Sequence, residues 1–209
     1  MINKFDTYLF DFDGTLVDTH ESLYKVFLNA YRAVGVEITY EDVVFLMRVP
    51  LLEGYQKMGA PLDEEHVKIY CDEIIRLLDD EEVLSLSKTY DEVKEVLYTL
   101  HKEGKKLGIV TSNSRKHVGD VLRYIGLDES LFEVIVGNKE TKKHKPNPDP
   151  ILKTLEILNI SNEGVCYVGD GMDDMRCAVN AHVGPIHLDR DGSQSESPYP
   201  QIKTLKELL

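Results

Sequence analysis

The side chains able to do chemistry fall in four short segments of this 209-residue chain. They are Asp11-Phe12-Asp13-Gly14-Thr15, Thr111-Ser112-Asn113, Lys145-Pro146 and Gly169-Asp170-Gly171-Met172-Asp173-Asp174. Carboxylates about 4 Å apart repel by roughly 4 kcal/mol at an effective dielectric near 20. If Asp11, Asp13 and Asp170 converge, a cation must hold them together. All-oxygen acidic ligands, with no cysteine nearby and no paired histidines, favour a hard ion, Mg²⁺ above Zn²⁺. Lys145 would add a second positive charge. A divalent ion, a lysine and an open carboxylate describe a phosphoryl-transfer site with a carboxylate nucleophile.

Convergence depends on the elements between these segments. Thr7–Phe10, 106–110, 132–136, 165–168 and 185–188 are short apolar runs with little polar alternation, which predicts buried strands. Helical spacing lies between them, as in Val93, Val96, Leu97 and Leu100 before Gly104. Asp149-Pro150 reads as an N-cap with proline at the first helical position, ahead of Ile151, Leu152 and Leu155. Strands alternating with helices predict a parallel α/β sheet covered on both faces. Three of the four polar segments directly follow a strand, and Lys145 lies between a strand and its helix. In an open parallel sheet such positions share one crevice.

From about residue 18 to 86 no strand signal occurs. Leu23, Val26, Phe27, Ala30, Tyr31 and Val34 form a helical stripe ending at Gly35, and Asp18 with Glu21 resembles its capping box. A second helix is expected over 63–78, with shorter ones near 40–47 and 51–58. About 70 residues is too long for a loop and reads as an inserted helical subdomain. The expected division is residues 1–16 with 87–209 as the α/β core and 17–86 as the insertion.

Composition bounds the rest. Lys and Arg number 24 against 37 Asp and Glu, a net charge of −13, which suits neither nucleic acid nor an anionic membrane as a general partner. No apolar run approaches the roughly 18–20 residues that span a bilayer. The N-terminus lacks a signal-peptide profile. Three well-separated cysteines (Cys71, Cys166, Cys177) point to a reducing, cytoplasmic compartment. Nothing in the sequence demands a dimer, so a monomer or weak dimer is expected.

The four segments, in this order over nearly the whole chain, resemble the haloacid dehalogenase-like (HAD) hydrolase superfamily, in its phosphoglycolate phosphatase-like branch. The resemblance implies a Rossmann-like parallel sheet with an inserted all-helical cap, mobile about hinges near 16–18 and 85–89. It implies that Asp11 is the nucleophile, forming an aspartyl-phosphate. Asp13 is then the general acid and base, its backbone carbonyl also binding Mg²⁺. Thr111 and the Ser112 amide, with Lys145, hold the phosphoryl group. Asp170 is a metal ligand alongside Asp11. Asp174, favoured over Asp173 by the family spacing, lies behind them and holds metal-bound water or Lys145. Arg48, in a cap loop, is a candidate for a second anionic group on the substrate.

The implied activity is Mg²⁺-dependent hydrolysis of a small phosphorylated metabolite, a phosphomonoester. A pyrophosphatase or a phosphomutase of the β-phosphoglucomutase type shares the scaffold. The mutases place a histidine twelve residues after the nucleophile, where this chain has Leu23. From a different class, a phospho-acceptor signalling receiver also joins acidic residues, Thr/Ser and Lys on a parallel sheet. The helical insertion and the nucleophile on the first strand count against it. The segment Gly184–Gly192 departs from the Trp-Gly ending common in the phosphoglycolate group, so the substrate stays open.

Overall fold

The computed structural model describes residues 5–47, 49, 51–192 and 197–209. By internal packing the chain divides into two units, Met1–Asp18 with Thr89–Leu209, and Thr19–Lys88.

The first unit is built on a six-stranded parallel sheet. Its strands are β1 (Thr7–Phe10), β4 (Lys106–Val110), β5 (Val134–Val136), β6 (Val165–Gly169), β7 (Gly184–Leu188) and β8 (Gln201–Ile202). Their spatial order is β5-β4-β1-β6-β7-β8, with every pairing parallel. All four residues of β1 are buried, as a central strand covered on both faces requires. The registers Thr7↔Lys106 and Thr7↔Val165 start β4 and β6 level with β1, and both run one residue past its end, beside Asp11.

Three helices cover these strands. α6 (Val93–Lys102) packs on β4, α8 (Asp149–Leu158) on β4 and β5, and α9 (Met172–Asn180) on β6 and β7. A further helix, α7 (Arg115–Tyr124), is capped by the Ser114 side chain, which accepts from the His117 amide. One apolar cluster joins Leu9, Val110, Ile151, Leu155, Val165, Tyr167 and Cys177 beneath the strand ends. Successive elements leave β1 for β4 and β5, then return to β6 on its other side. The strand order therefore switches between β1 and β6, where such sheets open a crevice.

The second unit is helical: α1 (His20–Ala33), α2 (Tyr40–Leu46), α3 (Leu51–Lys57), α4 (Glu64–Leu78) and α5 (Glu81–Leu84). Side-chain caps fix three of their starts. Thr39 and Asp42 form a capping box on α2, Asp63 accepts from the His66 amide on α4, and Asp80 accepts from the amides of Glu82 and Val83 on α5. The interior is built from Val26, Ala30, Tyr31, Tyr55, Tyr70, Ile74 and Leu77.

Two sequence expectations at helix starts are corrected. Asp18 does not cap α1. Thr19 holds that position, with no side-chain capping bond, because Asp18 belongs to β2 (Val17–Asp18), which pairs with β3 (Lys88–Thr89). Asp149 is not the cap of α8 but its first residue. Pro148 precedes it at the cap, with no side-chain capping bond, and Pro150 is the second helical residue rather than the first, still in the turn where proline's fixed φ and missing N–H are tolerated. The two-residue strands β2, β3 and β8 carry too few residues for a period-2 signal.

Candidate active site

β1 delivers Asp11 one residue past its last strand position, where the Asp11 amide donates to Val168 O at 2.8 Å. β6 delivers Asp170 beside it. The chain then turns into α9, whose first turn carries Asp174 back over the strand end. Gly171 closes that turn: its amide donates to Asp174 Oδ2 at 3.0 Å. Carboxylate oxygens of Asp11, Asp170 and Asp174 lie within 4.8 Å of one another.

Lys145 enters from the segment between β5 and α8. Its Nζ donates to Asp11 Oδ1 and Asp174 Oδ1, both at 2.7 Å. Its side chain is 10% exposed, Asp11's 10% and Asp174's 5%, so this is a buried charge cluster rather than a surface pair. One ammonium faces three carboxylates. The electrostatics follow from that imbalance. Burial, then the Asp174 charge, pushes the Asp11 carboxyl well above the usual carboxylate range, against the pull of Lys145. Burial and Asp174 push Asp170 up to about 6. Burial pulls Lys145 down, but Asp11 and Asp174 outweigh it and hold the ammonium above its ordinary value.

Two glycines make the close approach possible. Gly14 has φ +71°, and a Cβ there would stand 2.4 Å from Asp170 Oδ2. That position requires glycine for its conformation and for its space. At Gly169 a Cβ would come within 2.5 Å of the Asp174 carboxylate. Thr15 donates to Asp170 Oδ1 at 3.3 Å, so the turn after β1 also orients the carboxylate after β6.

Asp13 stands apart from that carboxylate cluster. Its Oδ2 accepts from Asn113 Nδ2 at 2.6 Å. Asn113 follows the end of β4, and its own amide donates to Thr111 Oγ1 at 3.2 Å. Thr111 is buried and Ser112 exposed. Of the expected site residues, Asp11, Asp170, Asp174 and Lys145 are therefore in one cluster. Asp13 and Thr111 are joined through Asn113. Asp174 is as close to Lys145 as Asp11 is, whereas Asp173 points outward to Arg176. Arg48 lies outside the described residues.

Four contributors were not assigned from the sequence. Tyr167, in the middle of β6, reads there as one more buried strand residue. Its hydroxyl lies 2.8 Å from Val110 O, 3.1 Å from Asp174 Oδ1 and 3.3 Å from Lys145 Nζ. Asn113 was in view, yet nothing in its spacing marks a partner a hundred residues away. Arg190 donates to Thr15 O at 2.8 Å and Gly14 O at 3.3 Å, pairs with Glu92, and stacks 3.6 Å over the Tyr90 ring. It clamps the turn that follows the nucleophile segment. His187 Nε2 lies 3.1 Å from Asp170 O and so supports the other side.

Buried carboxylates thus meet a lysine at the switch point of a parallel sheet. The chain belongs to the haloacid dehalogenase-like hydrolase family, whose model matches residues 8–187. It is 36% identical over 184 residues, 88% of this chain and 81% of the other, to a Caldanaerobacter subterraneus protein provisionally named pyrophosphatase PpaX. It is 32% identical over 181 residues, 86% and 81% of the two chains, to the pyrophosphatase PpaX of Halalkalibacterium halodurans. Among solved structures, a provisionally named phosphoglycolate phosphatase from Lactobacillus plantarum shares the fold with a TM-score of 0.86, at 18% identity and 98% coverage of both chains. The chain is thus an enzyme of the hydrolase class. Membership in this family sets the receiver reading aside.

Proposed function

We propose that this enzyme hydrolyses small phosphate compounds through a phosphoryl group carried on Asp11. The observation that supports this most strongly is Lys145, held 2.7 Å from both Asp11 and Asp174 beside a third carboxylate. In the first step an Asp11 carboxylate oxygen bonds to phosphorus as the bond to the leaving oxygen breaks. Asp13 gives that oxygen its proton. Asn113 occupies Oδ2 of Asp13, which leaves Oδ1 to carry the proton. In the second step water attacks phosphorus, Asp13 takes the proton, and the bond to Asp11 breaks. Lys145, Thr111 and the Ser112 amide offset charge on the transferring oxygens.

The donor set suits Mg²⁺: three carboxylates share one lysine, and neither histidine nor cysteine belongs to the cluster. Asp11 and Asp170, with the carbonyl of Asp13, would hold the ion, and Asp174 would hold its water or Lys145. Bound there, Mg²⁺ would neutralise the surplus carboxylate charge and draw electron density from a phosphoryl oxygen. The helical unit Thr19–Lys88 serves in this reading as the cap that selects substrate. Three free cysteines fit a cytoplasmic setting.

Phosphomonoesters are the first substrate reading. Pyrophosphate is the second, and the names of the two curated relatives favour it. The test is phosphate release over phosphoglycolate, pyrophosphate, sugar phosphates and nucleotides, with Mg²⁺ and with chelator. Turnover with Mg²⁺ alone, slowed at the second step by Asp13→Asn, is expected. Turnover in chelator, or Asp13→Asn with unchanged single-turnover kinetics, contradicts the reading.

A further inference from the structure

β7 stands two strands away from β1, with β6 between them. Arg190 follows β7 by two residues, yet its side chain bonds the turn that follows β1. It therefore spans the end of β6, where Asp170 stands. The guanidinium donates from Nη2 to Thr15 O at 2.8 Å and from Nε to Gly14 O at 3.3 Å. Its third nitrogen, Nη1, donates to Glu92 Oε1, and its Cζ lies 3.6 Å over the centre of the Tyr90 ring. The side chains of Arg190 and Glu92 are only 19% and 11% exposed. Burial raises the Glu92 carboxyl, but the bond from Arg190 outweighs it and holds the group below its ordinary range. An ionised carboxylate thus anchors the guanidinium.

What the guanidinium holds matters to the site. The chain leaves the first unit after Asp18 and re-enters it at Thr89. Gly14 and Thr15 precede the first crossing, and Tyr90 and Glu92 follow the second, so one side chain binds the base of both. Gly14 and Thr15 are turn residues, outside any helix or strand. The turn is closed by the Gly14 amide, which donates to Val17 O at 2.8 Å. From it the Thr15 hydroxyl donates to Asp170 Oδ1 at 3.3 Å, and Gly14 lies so near Asp170 that a Cβ would not fit. A shift of the turn would move the hydroxyl that aims Asp170. A lysine offers one point charge there. Only a planar fork of N–H groups reaches two adjacent carbonyls and a carboxylate at once while stacking on a ring.

We propose that Arg190 is a positioning residue for the metal site: by holding the Gly14–Thr15 turn it fixes, through the Thr15 hydroxyl, the direction of Asp170 and so the affinity for Mg²⁺. The inference rests on the Mg²⁺ assignment above and adds to it a residue outside the carboxylate cluster that tunes the cluster. Groups that orient a metal ligand set its affinity by a factor of about ten or more. Arg190 acts through Thr15 and not on the reacting atoms, so its loss weakens metal binding more than it slows the loaded enzyme.

The test is calorimetric titration of Mg²⁺ into chelator-stripped wild type, R190Q, T15V and the double variant, each below its melting temperature. The Mg²⁺ dependence of p-nitrophenyl phosphate turnover is measured alongside. R190Q should raise the Kd for Mg²⁺ roughly tenfold. T15V should raise it by a similar factor, and the double variant no further, because both changes remove one constraint. The Mg²⁺ concentration for half-maximal turnover should rise in step, while kcat at saturating Mg²⁺ falls much less. An arginine that only held the fold together would lower the melting temperature and leave the Kd alone. An unchanged Kd in either single variant, or additive losses in the double, overturns the proposal and leaves the phosphatase reading intact. Should R190Q not fold, R190K is read in its place: charge without the fork should weaken Mg²⁺ binding as strongly, and a wild-type Kd in R190K overturns the proposal. A wild type that binds no Mg²⁺ overturns the Mg²⁺ assignment itself and this proposal with it.

Discussion

The sheet mouth and the interior of the helical unit both bury tyrosine, and they use it differently. At the mouth the Tyr167 hydroxyl lies within 3.3 Å of Val110 O, Asp174 and Lys145. In the helical unit Tyr31, Tyr55 and Tyr70 cluster ring to ring, with Tyr70 centroids 4.9 Å from Tyr31 and 4.5 Å from Tyr55. Tyr55 donates to Pro61 O, whereas the Tyr31 and Tyr70 hydroxyls face each other and, among the described residues, bond to no charged group. One region uses buried polarity to fix charges; the other uses aromatic bulk to fill space. Substitutions at the mouth should therefore cost turnover most, and those in the helical unit should cost stability most.

The largest expected effect is at Lys145. Lys145→Ala leaves Asp11, Asp170 and Asp174 without their ammonium. Turnover should fall by about a thousandfold or more, and stability in chelator by about 3–5 kcal/mol. Parallel kinetics and thermal melts check both. Next comes Tyr70→Ala, which empties an aromatic site among Tyr31 and Tyr55. It should lower stability by about 3–5 kcal/mol, read as a shift in denaturant midpoint.

The acidic cluster predicts a linkage between pH and Mg²⁺. Burial and Asp174 push the Asp170 carboxyl up to about 6 in the folded protein from its ordinary value of 3.8, so between those values the folded state binds more protons than the unfolded. Stability in chelator should then fall as pH rises through that window. Mg²⁺ binds the deprotonated group, so the rise in melting temperature on adding Mg²⁺ should be larger at pH 7 than at pH 5. A Mg²⁺ shift independent of pH would contradict this origin. The smallest pair of effects gives the sharpest comparison. Tyr167→Phe should lower kcat about tenfold, because one hydroxyl near a charged group is worth roughly 1.5 kcal/mol. Tyr70→Phe should change stability by less than about 1 kcal/mol, because the polar partner of its hydroxyl is the neutral Tyr31 hydroxyl rather than a charge. Equal effects at the two tyrosines would erase the distinction.

The same contrast explains what could be read in the sequence. Strands β1, β4 and β6 were legible because central parallel strands are continuous apolar runs, and the chemistry follows them at once. Acids directly after strands pointed to Asp11, Asp13 and Asp170 as the converging set; in the structure Asp174 takes the third place in the carboxylate cluster, because the first turn of α9 brings it back over the strand end, and Asp13 bonds to Asn113 instead. Tyr167 was hidden, because a strand pattern cannot separate a ring that only packs from one whose hydroxyl reaches a lysine 22 residues away. Asn113 and Arg190 were hidden for a related reason. Their partners lie 100 and about 175 residues distant, and only the sheet order brings them together. The Asp18 capping box failed because a two-residue strand pairing claimed that residue first.

The most direct measurement of the central claim is to quench the enzyme with acid during turnover, reduce any acyl phosphate with borohydride, and map the modified residue by mass spectrometry. The account predicts modification at Asp11 alone, absent in Asp11→Asn. Modification at another residue, or full-rate turnover by Asp11→Asn, would contradict it.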